Sequence, residues 1–239
     1  MAQERKSPAF VAGATGFTGR EVVRILAGMG IRTVAHVRPD SPRLEEWRDR
    51  LGAMGAEVDS TPWDAASMTS TLQKLRPELV YALLGTTKAR GRRAADEGKV
   101  ETYDTVDFGL TAVLTGAAVK SGALPRFVYL SAAGVDGKAR SPYYVARWKA
   151  ESLIRSCGLP FTIARPSFIT GAGRDDGRPL ERLGAAVADG ALSVAGAVGG
   201  AGLRDRYRST TAVVLAGALV RLSMDPSAEN RVVESEDLR

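Results

Sequence analysis

The stretch "FVAGATGFTGRE" (residues 10–21) constrains the fold more than any other part of this chain. Gly13, Gly16 and Gly19 recur at a spacing of three, after a short apolar run and before an amphipathic segment. Glycines in that setting let the backbone turn tightly, approach a ligand and pack a helix closely on a strand. Thr18 and Glu21 have the capping-box spacing, which predicts a helix N-terminus at the last glycine. Such an end offers free backbone N–H groups and partial positive charge, a natural seat for a pyrophosphate. Gly13, Thr15, Gly16, Phe17, Thr18 and Gly19 are therefore expected to cradle a dinucleotide. A glycine turn with no ligand is the plain alternative.

The rest of the chain alternates short apolar runs with longer amphipathic ones. Strands are expected at "AFVAGA" (9–14), "TVAHV" (33–37), "AEVDS" (56–60), "LVYALLG" (79–85), "RFVYLS" (126–131) and "FTIARP" (161–166), with "RVVES" as a final one. Helical periodicity links Val22, Ile25, Leu26 and Met29, and then Met68, Leu72 and Leu75 before Pro77. Tyr103, Val106, Leu110, Val113, Leu114 and Ala117 predict one helix over about 101–121, and others are expected near 145–157 and 210–224. Strands alternating with helices specify an α/β fold, a doubly wound parallel sheet with helices on both faces. No linker divides the chain, so residues 1–239 are expected to form a single domain.

The cofactor is chosen at the end of the second strand. An NAD site places an acidic residue about 20 positions beyond the glycines, to hold the ribose hydroxyls. Arg38 stands 19 positions after Gly19 instead, in "AHVRPD". Its guanidinium suits a 2′-phosphate, so NADP(H) is favoured over NAD(H). Asp64 follows the third strand and either accepts from an adenine amino group or caps the next helix. Leu84, Gly85 and Thr86 close the fourth strand and are expected to line the cleft.

Composition removes other classes. One histidine, His36, and one cysteine, Cys157, leave a metal centre, a histidine triad or an internal disulfide without residues. The N-terminus is polar and no apolar run reaches membrane-spanning length, so a cytoplasmic location without a membrane partner is expected. The net charge of +6 invites nucleic acid, but aromatics are 6% and none interleaves with the basic clusters. A solvated arginine-rich surface accounts for the charge better.

The chain resembles the atypical short-chain dehydrogenase/reductases, within them the NmrA-like and HTATIP2-like branch. The resemblance rests on "GATGFTG", "HVRP", "LLGTT", "RFVYLSAAGVDG" and "KAESLIRSCGLPFTIARPSFITG", and it covers nearly the whole chain. It implies a Rossmann-type fold with a small C-terminal substrate-side cap at about 168–206, and Pro166 near the nicotinamide. Catalytic members of the wider family use a Ser or Thr after the fifth strand and a Tyr-x-x-x-Lys pair on the next helix. The tyrosine exchanges a proton with the substrate oxygen while hydride moves, and the lysine one turn on tunes it.

By that resemblance Ser131, Tyr144 and Lys149 form the catalytic set, with Lys149 also holding the cofactor ribose. The spacing departs from the pattern. Val145 stands four residues before Lys149, and Tyr144, five before, would lie about 140° from the lysine on a regular helix. Tyr143 has Arg147 four residues on. Two functions follow: an NADP(H)-dependent oxidoreductase acting on a small carbonyl or alcohol, or a non-catalytic NADP(H)-binding redox sensor with a regulatory protein partner. The basic segment "TKARGRRAADEGK" (87–99) reads as a loop, serving as a lid or as a partner surface. Oligomeric state is open, since the 101–121 helix suits a dimer face as well as the sheet.

Overall fold

The structure, a computed structural model, describes residues 8–167, 169–170 and 210–238. The first half contains β1 (Ala9–Ala12), α1 (Phe17–Gly28), β2 (Thr33–His36), α2 (Leu44–Ala53), β3 (Glu57–Asp59), α3 (Ala65–Leu75) and β4 (Leu79–Ala82). Next come α4 (Lys88–Asp96), a π-helix (Tyr103–Leu110), α5 (Thr111–Lys120), β5 (Arg126–Leu130), α6 (Pro142–Ser156) and β6 (Phe161–Arg165). The short β7 (Ile169–Thr170) and β8 (Thr210–Thr211), α7 (Ala212–Met224) and β9 (Arg231–Glu234) complete it.

Seven parallel strands form one sheet in the order β3-β2-β1-β4-β5-β6-β9. The chain builds outward from β1 to β3, then crosses back to place β4 on the other side of β1. That reversal leaves a crevice beyond the carboxyl ends of β1 and β4, where open α/β sheets take ligands. This is the expected Rossmann-type sheet. Successive strand residues face opposite sides, so each strand feeds two cores. Val11, Ala35, Tyr81 and Val128 join the layer of α1, α2 and α7. Phe10, Val34, Val80, Phe127 and Ile163 join that of α3, α5 and α6. On the first face the Tyr81 hydroxyl pairs with Ser223 Oγ at 2.6 Å, tying β4 to α7.

Three expectations change. Thr18 does not cap α1: the helix starts at Phe17 with Gly16 as N-cap and no side-chain cap, and Glu21 pairs with Arg24 at 2.8 Å. The segment expected as a loop at 87–99 contains α4, whose N-cap Thr87 accepts from the Arg90 N–H. The single helix expected over 101–121 is a π-helix followed by α5. Hydrogen bonding to i+5 widens the turn and shifts the inward face. Asp107, Thr111 and Thr115 are buried beside Leu114 and Ala117, while Tyr103 and Val106 are only half-buried.

The cap expected at about 168–206 lies outside the described residues, apart from residues 169–170. Arg43, Arg48 and Arg50 lie on or beside α2 and pair with Glu45 and Glu46. Much of the local positive charge is therefore met by neighbouring carboxylates.

Candidate active-site cleft

The three glycines have distinct structural duties. Gly13 has φ +84°, open to glycine at little cost, and a side chain there would strike the Leu83 carbonyl of β4's extension. A Cβ at Gly19 would collide with the Gly13 carbonyl, so its absence sets how closely α1 approaches β1. Gly16 donates its N–H to Gly13 O at 2.9 Å and begins the helix. With no side-chain cap and no acidic residue in its first turn, α1 keeps an electropositive end.

Gly16, Phe17, Thr18 and Gly19 form one wall of a cleft of about 380 Å³. Leu84, Gly85 and Thr86 enter from the end of β4, Ser131 from β5, and Tyr143 and Arg147 from α6. The structure thus brings together most of the expected phosphate loop and the expected β4 residues. Gly13 and Thr15 lie in the turn behind the wall. Thr86 Oγ1 and Arg147 Nε, buried polar atoms of cleft residues, have no hydrogen-bond partner among the described residues. An uncapped helix end beside an unpaired buried hydroxyl fits a ligand with phosphates and ribose hydroxyls.

On α6 the cleft receives a different pair from the one expected. The helix already runs from Pro142, so five residues separate Tyr144 from Lys149 on regular helix. Lys149 does not reach the cleft: its Nζ lies 2.7 Å from Asp104 Oδ1, on a half-exposed side chain. Tyr144 packs edge-on against Tyr143, their centroids 5.2 Å apart. Tyr143 and Arg147, four apart on one face, line the cleft instead. Tyr144 and Lys149, the expected pair, are not among the residues lining this cleft.

Arg147 is almost fully buried. Its Nη2 lies 2.8 Å from Asp107 Oδ1 and donates to Leu84 O at 3.2 Å, while Nη1 donates to Leu130 O and to the Tyr129 hydroxyl. Asp107 Oδ2 accepts the Thr86 N–H at 2.9 Å. One ion pair therefore spans the cleft floor and fixes the loops after β4 and β5. Gly85 leaves room for it, since a Cβ there would sit 2.9 Å from Arg147 Nη2. Burial pushes the Asp107 carboxyl up, opposed by Arg147 and the Thr86 N–H. Burial works against the Arg147 charge, yet the facing Asp107 carboxylate and the hydrogen bond to the Tyr129 hydroxyl oppose it, and its pKa lies above the ordinary value. Each partner thus faces its opposite across a 2.8 Å contact. Burial also pushes the Tyr129 hydroxyl up to about 12, which leaves it a neutral wall group.

Ser131 lies in the cleft, as expected, with its hydroxyl engaged: Oγ donates to Glu151 Oε1 at 2.6 Å. Glu151 is fully buried and also takes Arg155 and Arg165, while Arg165 reaches Glu234 at 3.0 Å. This network locks α6, β6 and β9 together behind the cleft. Pro166 is buried, and its carbonyl accepts from the Ala133 N–H. Asp64 caps α3, accepting from Ala66 N and Ser67 N, and those N–H groups hold its carboxyl below the ordinary range. Capping is thus its structural role.

Arg38 follows β2 as expected and is already paired. Its Nη1 lies 2.6 Å from Glu101 Oε1, and Asp40 approaches its Nε at 3.6 Å. The sequence reading missed Glu101, Asp107 and Glu151. An acid among polar residues gives no local sign of a distant arginine. Arg147 alone carried a signal, its i+4 spacing from Tyr143.

Fold and cleft together define a protein of the nicotinamide-dinucleotide-binding class, built on a parallel sheet with an open phosphate loop. The model of the NAD(P)H-binding family matches residues 13–195, and the chain belongs to that family. It is 26% identical over 164 residues to the mitochondrial protein FMP52 of Debaryomyces hansenii, covering 68% of this chain and 67% of that one. It is 29% identical over 187 residues to a ceramide reductase of Caulobacter vibrioides, covering 77% of this chain and 53% of that protein. Among solved structures, UDP-glucose 4-epimerase of Thermotoga maritima superposes with a TM-score of 0.64 at 20% identity, over 94% of this chain and 75% of that one. Among the described residues no helix is long and apolar enough to cross a membrane, and no cluster of side chains suits a metal ion.

Proposed function

We propose that the protein is an NADP(H)-dependent oxidoreductase of the atypical short-chain type, acting on a small carbonyl or alcohol. The observation that carries this reading is the convergence of the open phosphate loop with Tyr143 on one cleft. The residues from Gly16 to Gly19 would hold the pyrophosphate, with Thr86 beside the ribose. Bound there, the cofactor supplies or accepts hydride. Tyr143 would exchange the proton that the substrate oxygen gains or loses in the same event. Arg147, pinned by Asp107, keeps a fixed positive charge against the wall where that oxygen changes charge. Arg38 supports NADP(H) over NAD(H), because a guanidinium at the end of β2 suits a 2′-phosphate.

A second reading, tight NADP(H) binding without turnover and signalling to a protein partner, is favoured by one contact. The Ser131 hydroxyl proton is committed to buried Glu151, so it is not offered to a substrate carbonyl. Fluorescence titrations with NADPH and NADH at fixed salt, followed by turnover on a panel of aldehydes and ketones, separate the two. Selective NADPH binding with turnover supports the oxidoreductase; selective binding with none supports the sensor. No binding of either cofactor sinks both.

A further inference from the structure

Arg38 and Glu101 are 63 residues apart in sequence, yet they make the shortest contact of a charge cluster completed by Arg90 and Asp40. Glu101 uses both oxygens, Oε1 at 2.6 Å from Arg38 Nη1 and Oε2 at 3.4 Å from Arg90 Nη2. Its side chain is only 13% exposed. The backbone there is held closely too: a Cβ at Gly91 of α4 would come within 2.7 Å of the Glu101 carbonyl oxygen. Thr102, next in the chain, caps the π-helix with a reciprocal bond to Thr105. Glu101 is thus a fixed anion, set by α4 on one side and the π-helix on the other, against the cation at the end of β2.

A carboxylate and a phosphate monoester compete for the same guanidinium, since both accept charge-assisted hydrogen bonds through oxygens of similar spacing. We propose that Glu101 is a specificity-determining residue that occupies the anion position of Arg38 until a 2′-phosphate displaces it. This rests on the reading of Arg38 as the 2′-phosphate site. NADPH must break the Arg38–Glu101 pair on entry, whereas NADH, with a ribose hydroxyl, leaves it closed. Displacement frees Arg90 as a second cation for the phosphate and releases the connection carrying α4 from the β2 end. Glu101 also lines a cavity of about 430 Å³ with Thr86, Thr87 and Tyr103, residues shared with the cofactor cleft. The latch therefore couples the adenosine end of the site to the space beside the cleft.

The test is a set of NADPH and NADH titrations on wild type, Glu101→Gln, Glu101→Asp and Arg38→Gln. Removing the competing charge should tighten NADPH roughly fivefold and leave NADH unchanged, because the pair is part-exposed and the site gains only the competent fraction it lacked. Glu101→Asp keeps the charge and should stay near wild type, which separates competition from damage to the fold. An NADPH-to-NADH affinity ratio unmoved by Glu101→Gln overturns the latch, as does weaker NADPH binding in that variant. Arg38→Gln tests the underlying reading independently. If it abolishes an NADPH preference that Glu101→Gln does not alter, the phosphate site stands and the latch falls. If wild type shows no preference and Arg38→Gln changes neither cofactor, both fall.

Discussion

The Arg147 guanidinium lies over the Tyr143 ring, 5.3 Å from its centroid, with the two residues one turn apart on α6. A positive charge held there by a buried carboxylate resembles the division of labour in a tyrosine–lysine pair, with one difference. A guanidinium stays charged across the working pH range, and both terminal nitrogens of this one are held by fixed acceptors. Under the proposed function Arg147 would be a positioned electrostatic group, and proton exchange would fall to Tyr143.

Tyr143→Phe should lower turnover by about 10²- to 10⁴-fold, the usual range for losing a general acid, while cofactor affinity changes little. Tyr144→Phe should stay near wild type. Steady-state rates for both variants, with direct NADPH titration, check this. The reverse ranking would return the role to Tyr144.

Breaking the Arg147–Asp107 pair should be severe, since both side chains are buried. Arg147→Met leaves a carboxylate without its partner, at a cost of about 3–5 kcal/mol in urea unfolding. The double variant Arg147→Met/Asp107→Leu should recover much of that loss. A strictly additive double variant would show that the two charges do not act as a unit.

Two glycines should respond in opposite directions. Gly19→Ala drives a Cβ into the Gly13 carbonyl, so it should destabilise the fold and weaken cofactor binding together. Gly116 sits inside α5 with open space around its missing Cβ, and Gly116→Ala should stabilise by about 0.5–1 kcal/mol. Thermal melts with and without NADPH give both signs.

His36 is buried in β2 with its ring nitrogen 2.8 Å from the Thr61 carbonyl and its ring edge-on to Trp63. Burial holds its pKa below the ordinary value, against the Thr61 bond and Asp59. As pH falls through about 6.5 the unfolded chain takes up a proton that the folded chain refuses. This contribution to stability is present above that pH and is lost below it, at up to about 1.4 kcal/mol per pH unit. Urea unfolding between pH 7.5 and roughly pH 5.5 should show the slope in wild type, and His36→Leu should flatten it.

The seven sheet strands and the glycine loop were legible because their signals are local. The central strands are apolar because both faces are buried, the edge strands β3 and β9 keep β-branched valines, and a glycine carries its conformational freedom wherever it stands. The same locality explains what stayed hidden. α4 has only alanines to mark an inward face, so "TKARGRRAADEGK" reads as a loop. The stripe from Tyr103 to Ala117 assumed α-helical spacing throughout, and the wider π turn moved Asp107 inward instead.

By itself, then, the sequence determined the sheet, its parallel winding and the phosphate loop at its carboxyl edge. The tertiary structure decided which tyrosine faces the cleft, because the start of α6 at Pro142 sets the phase of every later side chain. It also decided what each charge meets. Arg147 with Asp107, Ser131 with Glu151 and Arg38 with Glu101 are pairs 20 to 63 residues apart. No periodicity spans such distances; only packing brings the partners together, and burial strengthens the first two pairings.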